Sequence, residues 1–288
     1  MSKIDKIATI ILNYNSSADC RKCIGYLKAQ QGIEQEIIVV DNRSRDDERN
    51  AVEVLCKEQG CTFIANNENK GYNAGNNVGL RYAAEKGYEF AMIANPDMEF
   101  PQTDYLATLL AQMQTNEDIV VCGSDIVGAD GIHQNPMNKE GNWKDSFWWI
   151  KEIFGKKKSD SYDFIDNYSE SHYCHKVSGC CFMIRISFLE EINFFDEKVF
   201  LYCEEAILSR QVELTGKRMY YLATAQAVHC HIKSDKGDPV KRFKVWGNSR
   251  CYFIDRYSKD HWLGKQIAKL SMRLYVLAFT LYNKIKKS

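Results

Sequence analysis

The chain has 288 residues, with 38 Lys+Arg and 38 Asp+Glu, so its formal net charge is zero. Zero net charge removes bulk attraction to nucleic acid, and we expect no nucleic-acid partner. The 45% hydrophobic and 26% charged residues are ordinary for a globular protein with a substantial core. Eleven scattered cysteines fit free thiols in a reducing cytoplasm. The first apolar run, Ile7–Leu12, predicts a strand rather than a signal peptide.

The first 125 residues alternate strand and helix patterns. Short apolar runs predict strands near 7–12, 36–40, 62–65, 90–94 and 119–122, with helices between them. Apolar strands separated by helices are typical of an α/β fold with a mostly parallel central sheet covered on both faces. We expect this domain to span 1–235. Within it, 137–176 breaks the rhythm with an aromatic cluster and the basic run Lys156–Lys158, which predicts an insertion or flap.

Asp97 follows one of these strands, Phe90–Ala94, after Asn95 and Pro96. Proline cannot continue a central strand, so the carboxylate is expected in the crevice at the strand's carboxyl end, where ligands of open α/β sheets bind. An ionised carboxylate there favours a divalent cation held jointly with a phosphate-bearing ligand. An aspartate that caps a turn is the alternative.

A glycine-rich stretch, Asn67–Gly79, follows the third predicted strand. Gly71, Gly75 and Gly79 would allow close approach of the backbone to a ligand and would expose amides at a helix start. The spacing matches neither the dinucleotide fingerprint nor the P-loop. A mobile loop is the alternative.

Glu204 and Glu205 open a helix, and His229 ends a later strand-like run. The carboxylates either cap the helix or supply a general base, and only one can face a ligand because neighbours on a helix point about 100° apart. His229 is either structural or a contact to metal or phosphate.

Eight stretches, in order along the chain, carry a family resemblance whose order and spacing are highly specific. They are Ile10–Asn15, Val39–Ser44, Asn69–Asn77, Asn95–Asp97, Ser178–Gly179, Phe195–Glu197, Phe200–Glu205 and His229. The chain resembles family 2 inverting glycosyltransferases of the GT-A fold, of the rhamnosyltransferase-like kind.

The resemblance implies roles for particular residues. Asp97 and His229 would bind a divalent metal (Mn or Mg), and Glu205 would be the catalytic base, with Glu204 the other candidate. The implied donor-nucleotide residues are Asn13, Tyr14, Asn15, Asp41, Asn42, Asn69, Gly71, Asn76 and Asn95. The family often has Asp at the position of Glu205, and it often has Asp where this chain has Ile207.

The implied reaction moves a sugar from a nucleoside-diphosphate donor to a saccharide or lipid-linked acceptor, in bacterial cell-surface polysaccharide or glycolipid assembly. On this reading, 137–176 lies on the acceptor side. Two alternatives stay open. A nucleotidyltransferase on a similar sheet would favour a basic glycine-rich loop near the N-terminus, which Asn13–Ser17 is not. The second alternative, a non-catalytic nucleotide-sugar-binding protein, is supported only by Ile207.

The segment 236–288 predicts a C-terminal helical extension. From His261 onward it holds six basic residues and no acidic ones. On a helix, 262–287 becomes amphipathic, with a stripe of Leu263, Ile267, Leu270, Leu274, Leu277 and Leu281 opposite Lys265, Lys269 and Arg273. The charge-free window 274–283 is too short for a bilayer span, which needs ~20 apolar residues. The helix either binds an anionic membrane surface, at the inner face of the cell membrane, or packs on the domain.

Overall fold

A computed structural model describes residues 6–150, 167–230 and 238–286. In these ranges, nine strands form one sheet. They are β1 (Lys6–Asn13), β2 (Glu34–Asp41), β3 (Thr62–Ala65), β4 (Phe90–Ala94), β5 (Met98–Glu99), β6 (Ile119–Gly128), β7 (His172–Cys174), β8 (Cys181–Arg185) and β9 (Arg218–His229). The basic run Lys156–Lys158 lies outside the described residues.

Six of the nine described strands run in one direction, as the apolar strand pattern predicts, and four of the eight strand pairings are antiparallel. Its order is β3-β2-β1-β4-β8-β6-β9-β5, and β7 also pairs with β9. β1 to β4 are parallel, β8 is antiparallel to both β4 and β6, and β6 is parallel to β9. β5, β7 and β8 therefore run against the other strands. The carboxyl ends of β1, β2, β4 and β9 meet at one edge.

Eight α-helices accompany the sheet in the described ranges. They are α1 (Ser17–Lys28), α2 (Asp46–Gln59), α3 (Tyr72–Glu85), α4 (Tyr105–Thr115), α5 (Ile186–Glu191), α6 (Glu204–Leu214), α7 (Pro239–Arg256) and α8 (Trp262–Ile285). Period-two alternation sends Ile7 and Ile11 of β1 to one face and Ile10 to the other. The first face is covered by α1, α2 and α4, and the second by α3, α5 and α6.

Gly71, Gly75 and Gly79, at and just inside the start of α3, each leave space that another part of the protein fills. A Cβ on Gly75 would lie 2.5 Å from the Leu12 side chain, and one on Gly79 would lie 2.7 Å from Ile10. Gly71 has a φ of +102°, and a Cβ placed on it would lie 2.1 Å from the Phe200 carbonyl oxygen. A neighbouring strand and a neighbouring loop, rather than a ligand, take the space that these glycines leave.

The strap, Phe195–Cys203, joins α5 to α6 and is clamped from two sides. From α3, Asn77 exchanges two hydrogen bonds with the Phe195 main chain, at 2.9 and 3.0 Å. The Tyr72 amide donates to the Phe200 carbonyl at 2.9 Å. From α7, the Ser249 hydroxyl donates to the Leu201 carbonyl at 2.7 Å. The strap therefore fixes where α6 begins.

The C-terminal pair α7 and α8 packs through side chains other than the leucine stripe. Gly247 of α7 leaves room for the Val276 side chain of α8, and Phe243 stacks on Phe279 at 4.1 Å. Ala268 is buried in one apolar cluster with Val199 and Ile207. The stripe itself faces outward: Leu263, Leu270, Leu274, Leu277 and Leu281 are 47–58% exposed. The alternative in which the stripe packs on the domain is therefore wrong. None of the described helices has both the length and the apolarity needed to cross a bilayer.

We expect Gly71→Ala to lower the free energy of unfolding by about 3 kcal/mol or more. The backbone conformation strains any L side chain by about 1–3 kcal/mol, and the clash with the strap adds to that. Urea denaturation measures the change. The matched control is Gly87→Ala, which also has positive φ but no atom within 4 Å of a Cβ, and should cost only about 1 kcal/mol. Equal losses for the two variants would contradict the clash.

Candidate functional site

The carboxyl ends of β1 and β2 are joined by a buried polar network around Ser44. Asn13 and Asp41 are paired in register at the strand ends, and the Asn13 amide donates to Asp41 at 2.9 Å and to the Ser44 hydroxyl at 3.2 Å. The Ser44 main-chain amide donates to the other oxygen of Asp41. The Asn15 main-chain amide donates to the Ser44 hydroxyl at 2.9 Å. These side chains set the shape of the two loops.

A second network ties the glycine-rich loop to the same edge. The Asn42 side-chain amide donates to Asn69 Oδ1 at 3.1 Å and to the Gly71 carbonyl at 3.2 Å. Its oxygen accepts from the Asn66 side chain at 3.1 Å. The structure therefore brings Asn42, Asn69 and Gly71 together, as the resemblance implies, with Asn66 as an additional member.

The predicted donor residues differ in what they can offer a ligand. Tyr14 is 53% exposed beside the buried Asn13 and Asp41. Asn76 lies inside α3, where its amide donates to the Tyr72 carbonyl. Asn13 Oδ1 and Asn76 Oδ1 are buried and have no hydrogen-bond partner among the described residues. Asn95 contributes its main-chain amide to the Cys180 carbonyl at 2.8 Å.

Asp97 and His229 meet at this edge because β5 pairs with the end of β9. Met98 is the register partner of His229, and the Cys230 amide donates to the Asp97 carbonyl at 2.9 Å. Asp97 Oδ1 lies 3.4 Å from His229 Nε2. The other ring nitrogen, Nδ1, lies 2.8 Å from Gln134 Oε1.

The environment of His229 favours a positive charge. Burial by itself would lower the pKa of the imidazole, but hydrogen bonds to Asp97 and Cys180 raise the pKa to about 10. The charges of both groups act in the same direction. At neutral pH, a divalent cation that binds the imidazole must therefore displace a proton from the ring.

Asp97 and His229 fit a divalent cation that takes its other ligands from a bound molecule. Atoms 3.4 Å apart can both lie about 2.1 Å from one ion, a normal ligand distance for Mg²⁺. Within the described ranges, no cluster of three or more His, Cys, Asp or Glu side chains could hold a metal. Two protein donors suit an ion shared with substrate phosphates.

Glu204 and Glu205 begin α6, directly after two residues in left-handed backbone conformation. Tyr202 has φ of 74° and Cys203 has φ of 68°. Glu205 Oε1 accepts from the Gly179 amide at 3.2 Å. The Gly179 carbonyl in turn accepts from the Tyr72 hydroxyl at 2.5 Å.

Glu204 is a buried carboxyl group with a raised pKa. Burial first, and the neighbouring Glu205 second, raise the pKa of Glu204 to about 7. One of its oxygens is buried and has no hydrogen-bond partner within the described ranges. A carboxyl with a pKa near neutrality can accept and release a proton at physiological pH.

Gly179 and Cys180 connect the carboxylate pair to the Asp97–His229 pair. Gly179 binds Glu205 through its amide, and the next residue, Cys180, lies against His229. The structure thus brings both predicted metal ligands and both predicted bases to the same region. Ile207 is buried against Phe253 and Ile254, so an apolar contact stands where the family often has an aspartate.

A cavity of about 610 Å³ runs along the outer face of α6. It is lined by Ala206 and Arg210 of α6, by 139–142 and 173–175 of the predicted insertion, and by Tyr257 at the end of α7. Its wall combines aromatic rings with charged and hydroxyl groups. Such a surface suits a polar, ring-shaped ligand.

Comparison with known proteins agrees with this geometry. The sequence model described as "Glycosyl transferase family 2" matches residues 9–193. The chain belongs to that family. The resemblance inferred from the eight motifs is therefore confirmed.

Two curated relatives carry transferase names. The chain is 28% identical over 204 residues to the low-salt glycan biosynthesis hexosyltransferase Agl10 of Haloferax volcanii, a match covering 70% of this chain and 60% of the relative. It is 29% identical over 83 residues to the N-acetylglucosaminyl-diphospho-decaprenol L-rhamnosyltransferase of Mycobacterium tuberculosis, covering 28% of this chain and 27% of that one. The chain therefore spans less than two thirds of the length of either relative.

Solved glycosyltransferases share the fold. The mannosyltransferase PcManGT of Pyrobaculum calidifontis, in complex with GDP-Man and Mn²⁺, matches with a TM-score of 0.60 at 14% identity. That match covers 98% of this chain and 76% of the other. The predicted GT-A type α/β fold is confirmed.

Sequence reasoning missed three residues of this region. Ser44 and Cys180 lie inside or next to quoted motifs, and their position there is the signal that could have found them. Gln134 lies 95 positions from His229, in a stretch without a motif, and carries no such signal.

Proposed function

We propose that the protein is a metal-dependent, inverting glycosyltransferase. It would transfer a sugar from a nucleoside-diphosphate donor to a hydroxyl of a saccharide or lipid-linked acceptor, in assembly of cell-surface polysaccharide or glycolipid. The observation that carries the proposal is the link from Asp97 and His229, through Gly179–Cys180, to Glu205. A metal-binding pair and a general base are the two parts that this reaction requires.

The donor would lie across the carboxyl ends of β1, β2 and β4. In our proposal the exposed Tyr14 contacts the nucleotide, while the buried Asn13, Asp41 and Asn42 hold the loops in shape around it. Asp97 and His229 would hold Mn²⁺ or Mg²⁺ beside the diphosphate, where the ion supplies Lewis-acid neutralisation of the leaving group. Family 2 membership and the Mn²⁺ in the PcManGT complex support this assignment.

Glu205 would act on the acceptor. A sugar hydroxyl is a weak nucleophile, so a carboxylate takes its proton as the new bond to the anomeric carbon forms. The bond from the anomeric carbon to the diphosphate breaks in the same displacement, and the configuration inverts. The longer side chain of Glu can perform the task of the family's Asp.

The cavity along α6 would receive the acceptor. Its lining includes Ala206, the residue after Glu205, but neither carboxylate, and the predicted insertion supplies part of its wall. Aromatic rings and paired charged groups are surfaces that saccharides bind. The alternative of a binding protein without chemistry gains no support from Ile207, because its apolar contacts serve the packing of α7.

Nucleoside-diphosphate release from a panel of nucleotide sugars, with Mn²⁺ or Mg²⁺, tests the proposed activity. Release that depends on both a donor and an acceptor, with an inverted anomeric configuration in the product by NMR, is the expected result. Binding of nucleotide sugars without turnover for any acceptor would favour the binding-protein alternative.

We expect Asp97→Asn to remove most metal-dependent activity, by at least about 100-fold, with little change in the melting temperature. The substitution removes the single carboxylate that the protein offers to the cation. A 100-fold loss of activity corresponds to about 2.7 kcal/mol of activation free energy. Asp104→Asn is the matched control, because Asp104 is an exposed carboxylate at the start of α4 to which the proposed mechanism gives no role. Submillimolar Mn²⁺ binding to the wild-type protein without nucleotide would argue against an ion shared with the diphosphate.

We expect Glu205→Gln to reduce turnover at least ~100-fold, or about 2.7 kcal/mol of barrier, with donor affinity almost unchanged. The amide keeps the shape and loses the proton acceptor. Glu204→Gln should have a milder effect. The roles are reversed if Glu204→Gln abolishes transfer while Glu205→Gln keeps more than about a tenth of it, and the raised pKa of Glu204 would then explain that result.

We further propose that α8 holds the enzyme on an anionic membrane surface, at the inner face of the cell membrane. The outward leucine stripe is accompanied by Trp262 and Tyr282, which are 74% and 65% exposed. Such aromatic residues suit the membrane–water interface. Neither 239–254 nor 261–288 contains an acidic residue.

The basic residues around the stripe favour anionic lipid over a second copy of the chain. Exposed cations flank it at both ends of the helical pair, namely Lys241, Arg242, Lys244, Arg273, Lys284 and Lys286. Two such surfaces would repel each other, whereas each cation near an anionic leaflet contributes about 1 kcal/mol to binding.

We expect the triple change Leu270→Gln, Leu274→Gln and Leu277→Gln to abolish sedimentation with phosphatidylglycerol vesicles at low salt. The side chains are about half exposed, so folding should be retained. Leu214→Gln is the control, since that leucine is 63% exposed on the catalytic domain. Unchanged sedimentation of the triple variant would overturn the assignment, and so would a wild-type dimer in sedimentation equilibrium that the triple change dissociates.

A further inference from the structure

Gln134 contacts the Nδ1 side of the His229 imidazole. Its carboxamide oxygen lies 2.8 Å from Nδ1 of the imidazole. An amide oxygen can only accept a hydrogen bond, so Nδ1 must be the donor. In the neutral ring, the lone pair therefore lies on Nε2, the nitrogen 3.4 Å from Asp97.

Gln134 is held firmly in the position that makes this contact. Its main-chain amide donates to the Ile126 carbonyl of β6 at 2.7 Å. The next residue, Asn135, is fully buried, and its side chain donates to the Ser124 carbonyl at 2.9 Å. A Cβ on Gly128 would lie 3.1 Å from the Gln134 side-chain nitrogen, so this glycine leaves room for the amide.

Without Gln134, the neighbouring carboxylate would favour the opposite tautomer. Asp97 would attract a hydrogen on Nε2, and the lone pair of a neutral ring would then lie on Nδ1, the nitrogen on the other side from Asp97. A metal-binding imidazole needs its lone pair on the nitrogen that faces the ion, and the partner of the other nitrogen commonly ensures this. An acceptor at Nδ1 is therefore a requirement of this particular pair.

We propose that Gln134 is a positioning residue that fixes the tautomer and ring orientation of His229, so that Nε2 and Asp97 together bind the divalent cation of the donor complex. The inference rests on the proposed function, because it concerns the same metal-binding pair. Gln134 itself touches neither substrate nor metal. Its contribution should appear in cation affinity and not in nucleotide affinity.

Gln134→Leu removes the acceptor at similar side-chain size, and Gln134→Glu keeps an acceptor for Nδ1. Mn²⁺ is titrated, with detection by electron paramagnetic resonance, into protein saturated with UDP or GDP, whichever the wild-type chain binds. We expect Gln134→Leu to weaken Mn²⁺ binding about 10–100-fold, the usual effect of losing such a partner. Gln134→Glu should stay within about threefold of wild type or bind more tightly. Nucleotide affinity without metal should be the same for all three proteins.

The outcomes separate this inference from the proposed function. If Gln134→Leu binds Mn²⁺ as tightly as wild type does, the role of Gln134 is overturned but the metal site still stands. Equal weakening of Mn²⁺ binding by Gln134→Leu and Gln134→Glu also overturns it. The proposed role predicts a loss only for leucine, which cannot accept the Nδ1 hydrogen bond. If wild type binds no Mn²⁺ with either nucleotide, the metal-binding pair fails, and this inference fails with it.

Discussion

The clamp on the strap Phe195–Cys203 is the constraint on which the candidate site depends. Tyr202 and Cys203 are consecutive non-glycine residues with positive φ, and each costs on the order of 1–3 kcal/mol. Such strain persists only where surrounding contacts over-determine the backbone. Here α3 and α7 supply those contacts, and the strained turn delivers Glu204 and Glu205 beside Gly179.

Buried asparagine side chains hold much of the strap in place, and this explains the asparagine-rich motifs physically. A buried polar group without a partner costs about 1–3 kcal/mol, so each buried asparagine must find a specific donor or acceptor. The Asn77 side chain donates to the Phe195 carbonyl and accepts from the Phe195 amide. The Asn73 side chain donates to the Asp196 carbonyl at 2.8 Å. These amides specify one position for the strap, which an apolar contact of the same area would not do.

Periodicity and composition predict the elements of this fold well and their contacts poorly. The apolar runs near 7–12 and 90–94 are strands, and Glu204 begins a helix, because short-range patterns determine local structure. The position of Asp97 at a strand end follows from Pro96 in the same way. That Asp97 lies beside His229 follows only from the pairing of β5 with β9, which local patterns do not encode.

The glycines and the leucine stripe show the same limit of local sequence patterns. A glycine indicates that something approaches the backbone closely, but not whether that neighbour is a ligand or, as at Gly71, the carbonyl of Phe200. An amphipathic pattern likewise indicates that one face is covered, but not by what. In α8 the small residues, such as Ala268, face the protein, and the leucine stripe faces away. Both questions are settled by long-range packing.

The helix α7 joins the three parts of the molecule that the proposed reaction would use. Its Ser249 holds the strap, and the hydroxyls of Tyr252 and Tyr257 both donate to the Asp196 carboxylate at 2.6 Å. Arg250 of the same helix forms an ion pair with Glu140 of the insertion. Burial would raise the pKa of Glu140, but the charges of Arg250 and Lys176 hold that pKa below its usual value.

The opposite face of α7 packs on α8, behind the outward leucine stripe. The helix α7 therefore links α8 to the strap and to the insertion wall. Any tilt of α7 would strain the Ser249 and Tyr252 contacts together, and these contacts determine where the carboxylates lie. The apolar surface and the candidate base are thus joined by a chain of direct contacts through α7.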